Sequence, residues 1–286
     1  MKIMVLGATG VVGYHLAKGL APGNEITRVA RNSASVDIRA DASDAKILEG
    51  IIRKARPDAI INAIKPPLSV DDMERERELA YRINVGIPES LAKLQKKHGY
   101  FLVQVSTDGV YEGVEGEEYT EESPVRPTNY YALTKALAEE KIAENAERYL
   151  ILRTEGVFGF DERQSNFFMR LKKAAAEGKE FAAASDQCSQ PIYGAELARA
   201  VSALLGKGSE GIYNAVSPDY LSRYGLAQKM AAKMGWSCKL RKVSCLERGV
   251  KIQPFLKVSI KKIEREIGRI KGIDAQLDDL KREESG

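Results

Sequence analysis

Tyr131 and Lys135 stand four residues apart in Tyr131-Ala132-Leu133-Thr134-Lys135, the spacing that stacks two side chains on one face of a helix. A phenol that titrates near 10 is a poor proton donor or acceptor at neutral pH, and an ammonium one turn away favours the phenolate and lowers that value. Tyr131 so placed can give a proton to a carbonyl oxygen or take one from an alcohol. Adjacent Tyr130 faces elsewhere on the helix. Earlier in the chain, Ser106-Thr107-Asp108 closes an apolar run that begins at Phe101, and the Thr107 hydroxyl can hold the same oxygen. Thr107, Tyr131 and Lys135 are thus the candidate catalytic set. The two histidines, His15 and His98, and the three cysteines, Cys188, Cys238 and Cys245, lack the spacing of a zinc set, so no metal site is expected.

Such a set moves protons, and a partner for the electrons is suggested at the start of the chain. Ile3-Met4-Val5-Leu6 runs into Gly7-Ala8-Thr9-Gly10-Val11-Val12-Gly13. A strand feeding a glycine-rich turn that opens a helix lets backbone N–H groups approach a pyrophosphate at the positive end of that helix. Gly13 and Ala17 let the helix lie close on the sheet. A nicotinamide held there would carry the hydride. Cofactor choice turns on Val29-Ala30-Arg31-Asn32-Ser33 at the end of the second strand. A carboxylate there would take both ribose hydroxyls of NAD, whereas Arg31 offers a charged fork to a 2′-phosphate and Ser33 a further donor. NADP(H) is therefore expected in preference to NAD(H).

The elements that must position these residues alternate. Strands are expected over Lys2 to Leu6, Glu25 to Ala30, Val36 to Arg39, Ala59 to Ala63, Phe101 to Ser106 and Leu150 to Arg153. Helices are expected over Val11 to Gly19, Asp44 to Ala55, Glu74 to Gln95 (with Asp71-Asp72 just before it) and Tyr130 to Asn145. That alternation implies an α/β fold, a Rossmann-type doubly wound parallel sheet. After Arg153 the pattern loosens into short elements: helices from Asn166 to Glu177, Ala195 to Leu205 and Ser222 to Met234, with a strand from Gly211 to Val216. Residues 1–155 are expected to form the dinucleotide-binding domain, and 156–286 mainly a smaller C-terminal cap with some segments returning to the sheet. A cap beyond the carboxyl ends of the strands would enclose substrate beside the cofactor.

Composition narrows the class. With 44 basic and 40 acidic residues the net charge of +4 is too mild to imply nucleic acid. No eighteen-residue apolar stretch suggests a membrane span, and Met1-Lys2 leads straight into a core strand, so a cytoplasmic protein is expected. The segment from Lys251 to Lys271 is locally basic, with Lys257, Lys261, Lys262, Arg265 and Arg269 along an expected helix. Those charges form either a solvated face or a cationic rim that draws an anionic substrate to a cleft.

Taken in order, several stretches carry a resemblance: Gly7 to Gly13; Ile61-Asn62-Ala63; Ile83-Asn84; Val105 to Gly113; Pro127 to Lys135; Leu152-Arg153-Thr154; Asn166-Phe167; Asp186-Gln187 with Pro191; and Gly211-Ile212-Tyr213. The chain resembles the extended short-chain dehydrogenases/reductases and, within them, the dTDP-4-dehydrorhamnose reductase family. The resemblance implies reduction of the 4-keto group of a nucleotide-linked deoxysugar by NAD(P)H, with Thr107, Tyr131 and Lys135 catalytic. It implies that Asn62, Ala63, Ile64, Ser106, Tyr131 and Lys135 line the cofactor, that Asp41 with Ala42 meets the adenine, and that Thr107, Asp108, Tyr131 and Gln187 meet the substrate. Asn84 would be a structural helix asparagine near the site, and a homodimer is compatible. The chain departs from the family at Gly109, Gly156 and Ser189-Gln190-Pro191-Ile192, where bulkier or different residues would wall the sugar. A roomier pocket is expected, or one filled by Tyr193 or Phe158. Two other readings stay open: an epimerase or dehydratase of the same superfamily, and an NADP-binding regulatory subunit of methionine adenosyltransferase.

Overall fold

The structure, a computed structural model, describes residues 1–247 and 252–285. Seven parallel strands form the central sheet: β1 (Lys2–Leu6), β2 (Glu25–Ala30), β3 (Ile38–Arg39), β4 (Ala59–Asn62), β5 (Phe101–Thr107), β6 (Tyr149–Thr154) and β9 (Gly211–Asn214). Their order is β3-β2-β1-β4-β5-β6-β9, so the chain reverses direction across the sheet between β1 and β4. In an open α/β sheet a crevice forms outside the carboxyl ends of the strands at that reversal. This is the doubly wound fold the sequence implies. β4 and β5 are buried along their whole length, as strands covered on both faces must be.

One face of the sheet packs against α1 (Val11–Leu20) and α8 (Gly194–Lys207), through Leu16, Leu20, Leu197 and Val201. The other face carries α2 (Ala45–Ala55), α5 (Ile87–His98) and α6 (Tyr130–Asn145), whose Leu48, Ile52, Leu91 and Ile142 are fully enclosed. Each such side chain is worth about 1.5–3 kcal/mol when taken out of water. Asp44 starts α2 by accepting from the N–H groups of Lys46 and Ile47.

Three expected elements are redrawn. The long helix from Glu74 to Gln95 is instead α3 (Val70–Arg75), α4 (Arg77–Tyr81), a π turn (Arg82–Gly86) and then α5. Ser69 and Asp72 form a capping box that starts α3 ahead of Glu74, so Asp72 lies inside the first turn. Pro88, early in α5, cannot donate to the carbonyl of Asn84, and the widened π turn just before it takes up that mismatch. β3 starts at Ile38 because Asp37 pairs through its carboxylate with the Arg28 N–H (2.7 Å) and guanidinium. The basic segment holds only the seven-residue α10 (Lys261–Ile267); Lys251 lies outside the described residues.

Between β6 and the chain end lie the cap elements α7 (Phe167–Ala176), β7 (Phe181–Ala184), β8 (Cys188–Ser189), β10 (Leu221–Ser222), α9 (Arg223–Met234), β11 (Leu240–Val243) and α11 (Ile273–Ser285). β8 pairs with β10 and β7 with β11 in two small sheets. They enclose a separate core of Phe158, Phe168, Tyr193, Met230, Leu277 and neighbours. α8 and β9 return to the main sheet. No helix among the described residues is long and apolar enough to cross a membrane.

Candidate active site

Two cavities open beyond the carboxyl ends of β1, β2, β4 and β5. The outer groove, about 580 Å³, is lined by Gly7 and Thr9 of the turn, by Arg31, Ser33, Asp41 and Ala42, and by Ile64 and Lys65. Gly7 needs the left-handed region, with φ at 79°, and a Cβ on Gly13 would stand 2.3 Å from the Gly7 carbonyl oxygen. Only glycine at these positions lets helix and turn meet so closely. No side chain caps the N-terminus of α1 and no acidic residue stands in its first turn, so the positive end formed by Gly10, Val11, Val12 and Gly13 is left uncompensated. With Arg31 and Lys65 in the wall, the groove suits an anionic dinucleotide.

Arg31 is half exposed, and its guanidinium stands 3.9 Å from the Asp41 carboxylate. Asp41 also accepts from the Ser43 hydroxyl (2.7 Å) and N–H, bonds that hold its carboxyl below the usual range. Asn62 and Ser106 lie beneath the groove rather than in its wall. Asn62 is buried, donates to Gln104 (2.9 Å) and accepts from the N–H of Ile64 (3.2 Å), fixing the chain just past Ala63. Ser106 donates to Glu139, which also forms a buried bidentate pair with Arg153 (2.6 Å).

The inner cavity, about 130 Å³, lies between β5, α6 and the cap, and is lined by Thr107, Asp108, Tyr131, Gln187, Glu155 and Arg223 among others. Asn129 caps α6 by accepting from Ala132, which sets Tyr131 in the first turn beside the end of β5. Burial pushes the Tyr131 phenol above its ordinary value; the Glu155 and Asp108 carboxylates add to that, and a hydrogen bond with the Thr107 side chain opposes it. Lys135 is buried, donates to the Val105 carbonyl (2.5 Å), and is lowered by burial to about 8. The expected lowering of the phenol by Lys135 is therefore corrected. In this structure burial and two carboxylates govern Tyr131, while the lysine is occupied by a backbone oxygen.

Asp108 is the most displaced carboxyl. Burial drives it well above the carboxylate range and Glu155 adds to the rise, against weaker pulls from Arg223 and Thr107. Its Oδ2 is buried without a hydrogen-bond partner. Glu155 pairs with Arg223 across the cavity at 2.6 Å. Asn84 lies in the π turn and donates to Thr134 (2.9 Å), tying that turn to α6.

The wall expected to face a sugar is built otherwise. Gly156 has φ of 51°, and a Cβ there would meet Pro191 at 3.1 Å, so Pro191 takes the space. Gln253 donates to the carbonyls of Gly109 (2.7 Å) and Tyr111 (3.3 Å). Tyr193 and Phe158 are instead stacked in the cap core. Of the four residues from Ser189, only Ser189 lines the cavity; Gln190 is buried and bonded to Ser217 and Val258. Of the basic segment, Lys257, Lys261, Lys262, Arg265 and Arg269 line neither cavity. α10 docks on α8 and β9, Lys262 lies over the Tyr213 ring, and Lys257 pairs with Glu118. Besides Arg31, the cations that line the cavities are Lys65, Arg163 and Arg223. Sequence reading missed them along with Glu155, Glu162 and Gln253; Lys65 alone had a local signal, its place just after a strand end at the reversal of the sheet.

The model of the RmlD substrate binding domain matches residues 1–253. A dTDP-4-dehydrorhamnose reductase of Burkholderia thailandensis is 31% identical over 241 residues, 81% of this chain and 78% of the relative. A crystal structure described as a hypothetical dTDP-4-dehydrorhamnose reductase from Sulfolobus tokodaii is 30% identical with a TM-score of 0.84, covering 97% of this chain and 98% of that one. The Bacillus anthracis dTDP-4-dehydrorhamnose reductase, solved in complex with NADP, shares the fold with a TM-score of 0.89 at 24% identity over 99% of both chains. With a glycine turn at the sheet reversal and a match spanning all but the last part of the chain, this protein belongs to the RmlD substrate binding domain family.

Proposed function

We propose that this protein is an NADPH-dependent reductase of a nucleotide-linked 4-keto deoxysugar, of the dTDP-4-dehydrorhamnose kind. The observation that carries the reading is the convergence of Thr107, Asp108 and Tyr131 on one small cavity beside a groove suited to a dinucleotide. Bound NADPH would be held by the turn from Gly7 to Gly13 together with Arg31, Ser33, Asp41, Ala42, Ile64 and Lys65, and would supply the hydride. Tyr131 gives its proton to the ketone oxygen as charge develops there, and Thr107 holds that oxygen in place. The raised phenol value keeps Tyr131 protonated at neutral pH, the form a donor needs. Lys135, at about 8, is cationic below that pH and adds positive charge under the forming alkoxide.

Asp108, whose acid form burial favours, lines the same cavity as Gln187 and Arg223 and would be a second donor toward substrate. The cavity is smaller than a nucleotide sugar, and Gln253, which donates to the Gly109 carbonyl, is part of its lining. Residues 1–155 form the cofactor domain in this reading, and those from 156 onward supply the substrate side. The three cysteines form no disulfide, which fits a reducing, cytoplasmic setting. The test is NADPH oxidation by the purified protein with a dTDP-4-keto-6-deoxysugar. Turnover that stops on replacing Tyr131 supports the reading. NADPH binding without turnover of any 4-keto nucleotide sugar overturns it and favours the regulatory-subunit alternative.

A further inference from the structure

The loop after β6 reaches back from the cap across the outer groove. Asp161 accepts from the N–H of Gln164 (2.6 Å) and closes a tight turn there. The turn projects two oppositely charged side chains onto opposite parts of the groove wall. Arg163 reaches the glycine turn, where its Nε donates to the Thr9 hydroxyl at 3.4 Å. Glu162 reaches the loop after β2, where Oε1 accepts from the Ser35 hydroxyl (2.6 Å) and Oε2 from the Ser33 hydroxyl (3.1 Å). Ser33 and Ser35 are themselves 2.8 Å apart, so a single carboxylate spans a preformed pair of donors. Both loop residues line the groove with Arg31.

A carboxylate bridging two hydroxyls beside an arginine occupies the donors that a phosphate monoester would use. The Arg31 guanidinium, 3.9 Å from Asp41, is not tightly paired and stays available to such a group. We infer that Glu162 is a specificity-determining latch: its carboxylate competes with the cofactor 2′-phosphate for Ser33 and Ser35. NADP(H) must displace the loop, whereas NAD(H) leaves it closed. This rests on the reading of Arg31 and Ser33 as the 2′-phosphate subsite, and adds that the chain carries its own competitor for it.

The test is calorimetric titration of the full chain with 2′,5′-ADP and 5′-AMP, which differ only in the phosphate at issue, for the parent, Glu162→Gln and Glu162→Ala. Removing one negative charge at contact distance near the surface should tighten 2′,5′-ADP on the order of tenfold in both variants. The 5′-AMP affinity should change less than about twofold. Unchanged 2′,5′-ADP affinity in both variants, or an equal change for both nucleotides, overturns the latch. Arg31→Ala in the same assay separates the two ideas. If it leaves the 2′,5′-ADP affinity intact, the Arg31 subsite falls whatever Glu162 does. A parent that prefers 2′,5′-ADP, loses it with Arg31→Ala and ignores Glu162→Gln rejects the latch alone.

Discussion

The outer groove and the inner cavity lie at the same edge of one sheet yet use charge in opposite ways. The groove is ringed by exposed or half-exposed groups: Arg31, Asp41, Glu162 and Arg163. Charges there keep most of their hydration, so they recognise anions at modest gain and are screened over about 8 Å at physiological salt. The inner cavity is lined by Asp108 and Tyr131, with Lys135 buried on the same helix as Tyr131, and burial moves each of these titrations toward the neutral form. Burial favours the protonated acid forms of Tyr131 and Asp108 and weakens the hold of Lys135 on its proton. In the proposed reaction, recognition is thus left to the wet region and proton transfer to the dry one.

Breaking the support of the dry region should have the largest effect. Glu139 and Arg153 are almost fully buried, and Glu139 also accepts from Ser106 at the end of β5. Glu139→Ala leaves the guanidinium uncompensated and should cost about 3–5 kcal/mol; urea unfolding checks this, and a loss under about 1 kcal/mol would refute it. Next is Tyr131→Phe. It removes the proposed donor and should lower kcat roughly 10²-fold or more while NADPH binding stays within about twofold. A parent-like rate in stopped-flow reduction would remove Tyr131 from the mechanism.

Arg31→Ala sharpens the other side of the comparison. NADPH should weaken by about 1.5–3 kcal/mol with NADH little changed, and that difference should shrink as salt is added, whereas the Tyr131→Phe defect should not. Equal losses for both cofactors in a fluorescence titration would contradict it. The remaining expectation concerns acid stability. His15, on α1, is buried between Gly159, Gly194 and Tyr193 and lowered by burial to about 4. Between 6.5 and about 4 the unfolded chain takes a proton that the folded chain refuses, so its contribution is intact above 6.5 and is lost as pH falls toward 4. His15→Gln should flatten that part of the Tm-versus-pH curve; an unchanged slope would contradict the assignment.

How far the site was legible follows from the range of the contacts involved. The boundaries of β1, β2 and α6 match the expected ones because each depends on an apolar run or a cap within a few residues. The helix from Glu74 was misread where a capping box and a proline, both local signals, compete with the charge pattern. The basic segment was misread for another reason. Its Ile260, Ile263 and Ile270 are buried, so packing and not charge spacing decides where it lies.

Sequence alone determined what the main chain does over one turn or one strand. The glycines at 7 and 13, the four-residue spacing of Tyr131 and Lys135, and the alternation that makes a parallel sheet all act through neighbours. Tertiary structure decided which charges face which cavity. Glu162 meets Ser33 across 129 positions and Gln253 meets Gly109 across 144. Such pairs leave no periodic trace, because their geometry exists only once the cap has folded onto the sheet. The same holds for the titration of the inner groups. An unfolded Tyr131 and Lys135 would be exposed to water, and it is burial, imposed by the whole fold, that sets the direction in which each is shifted.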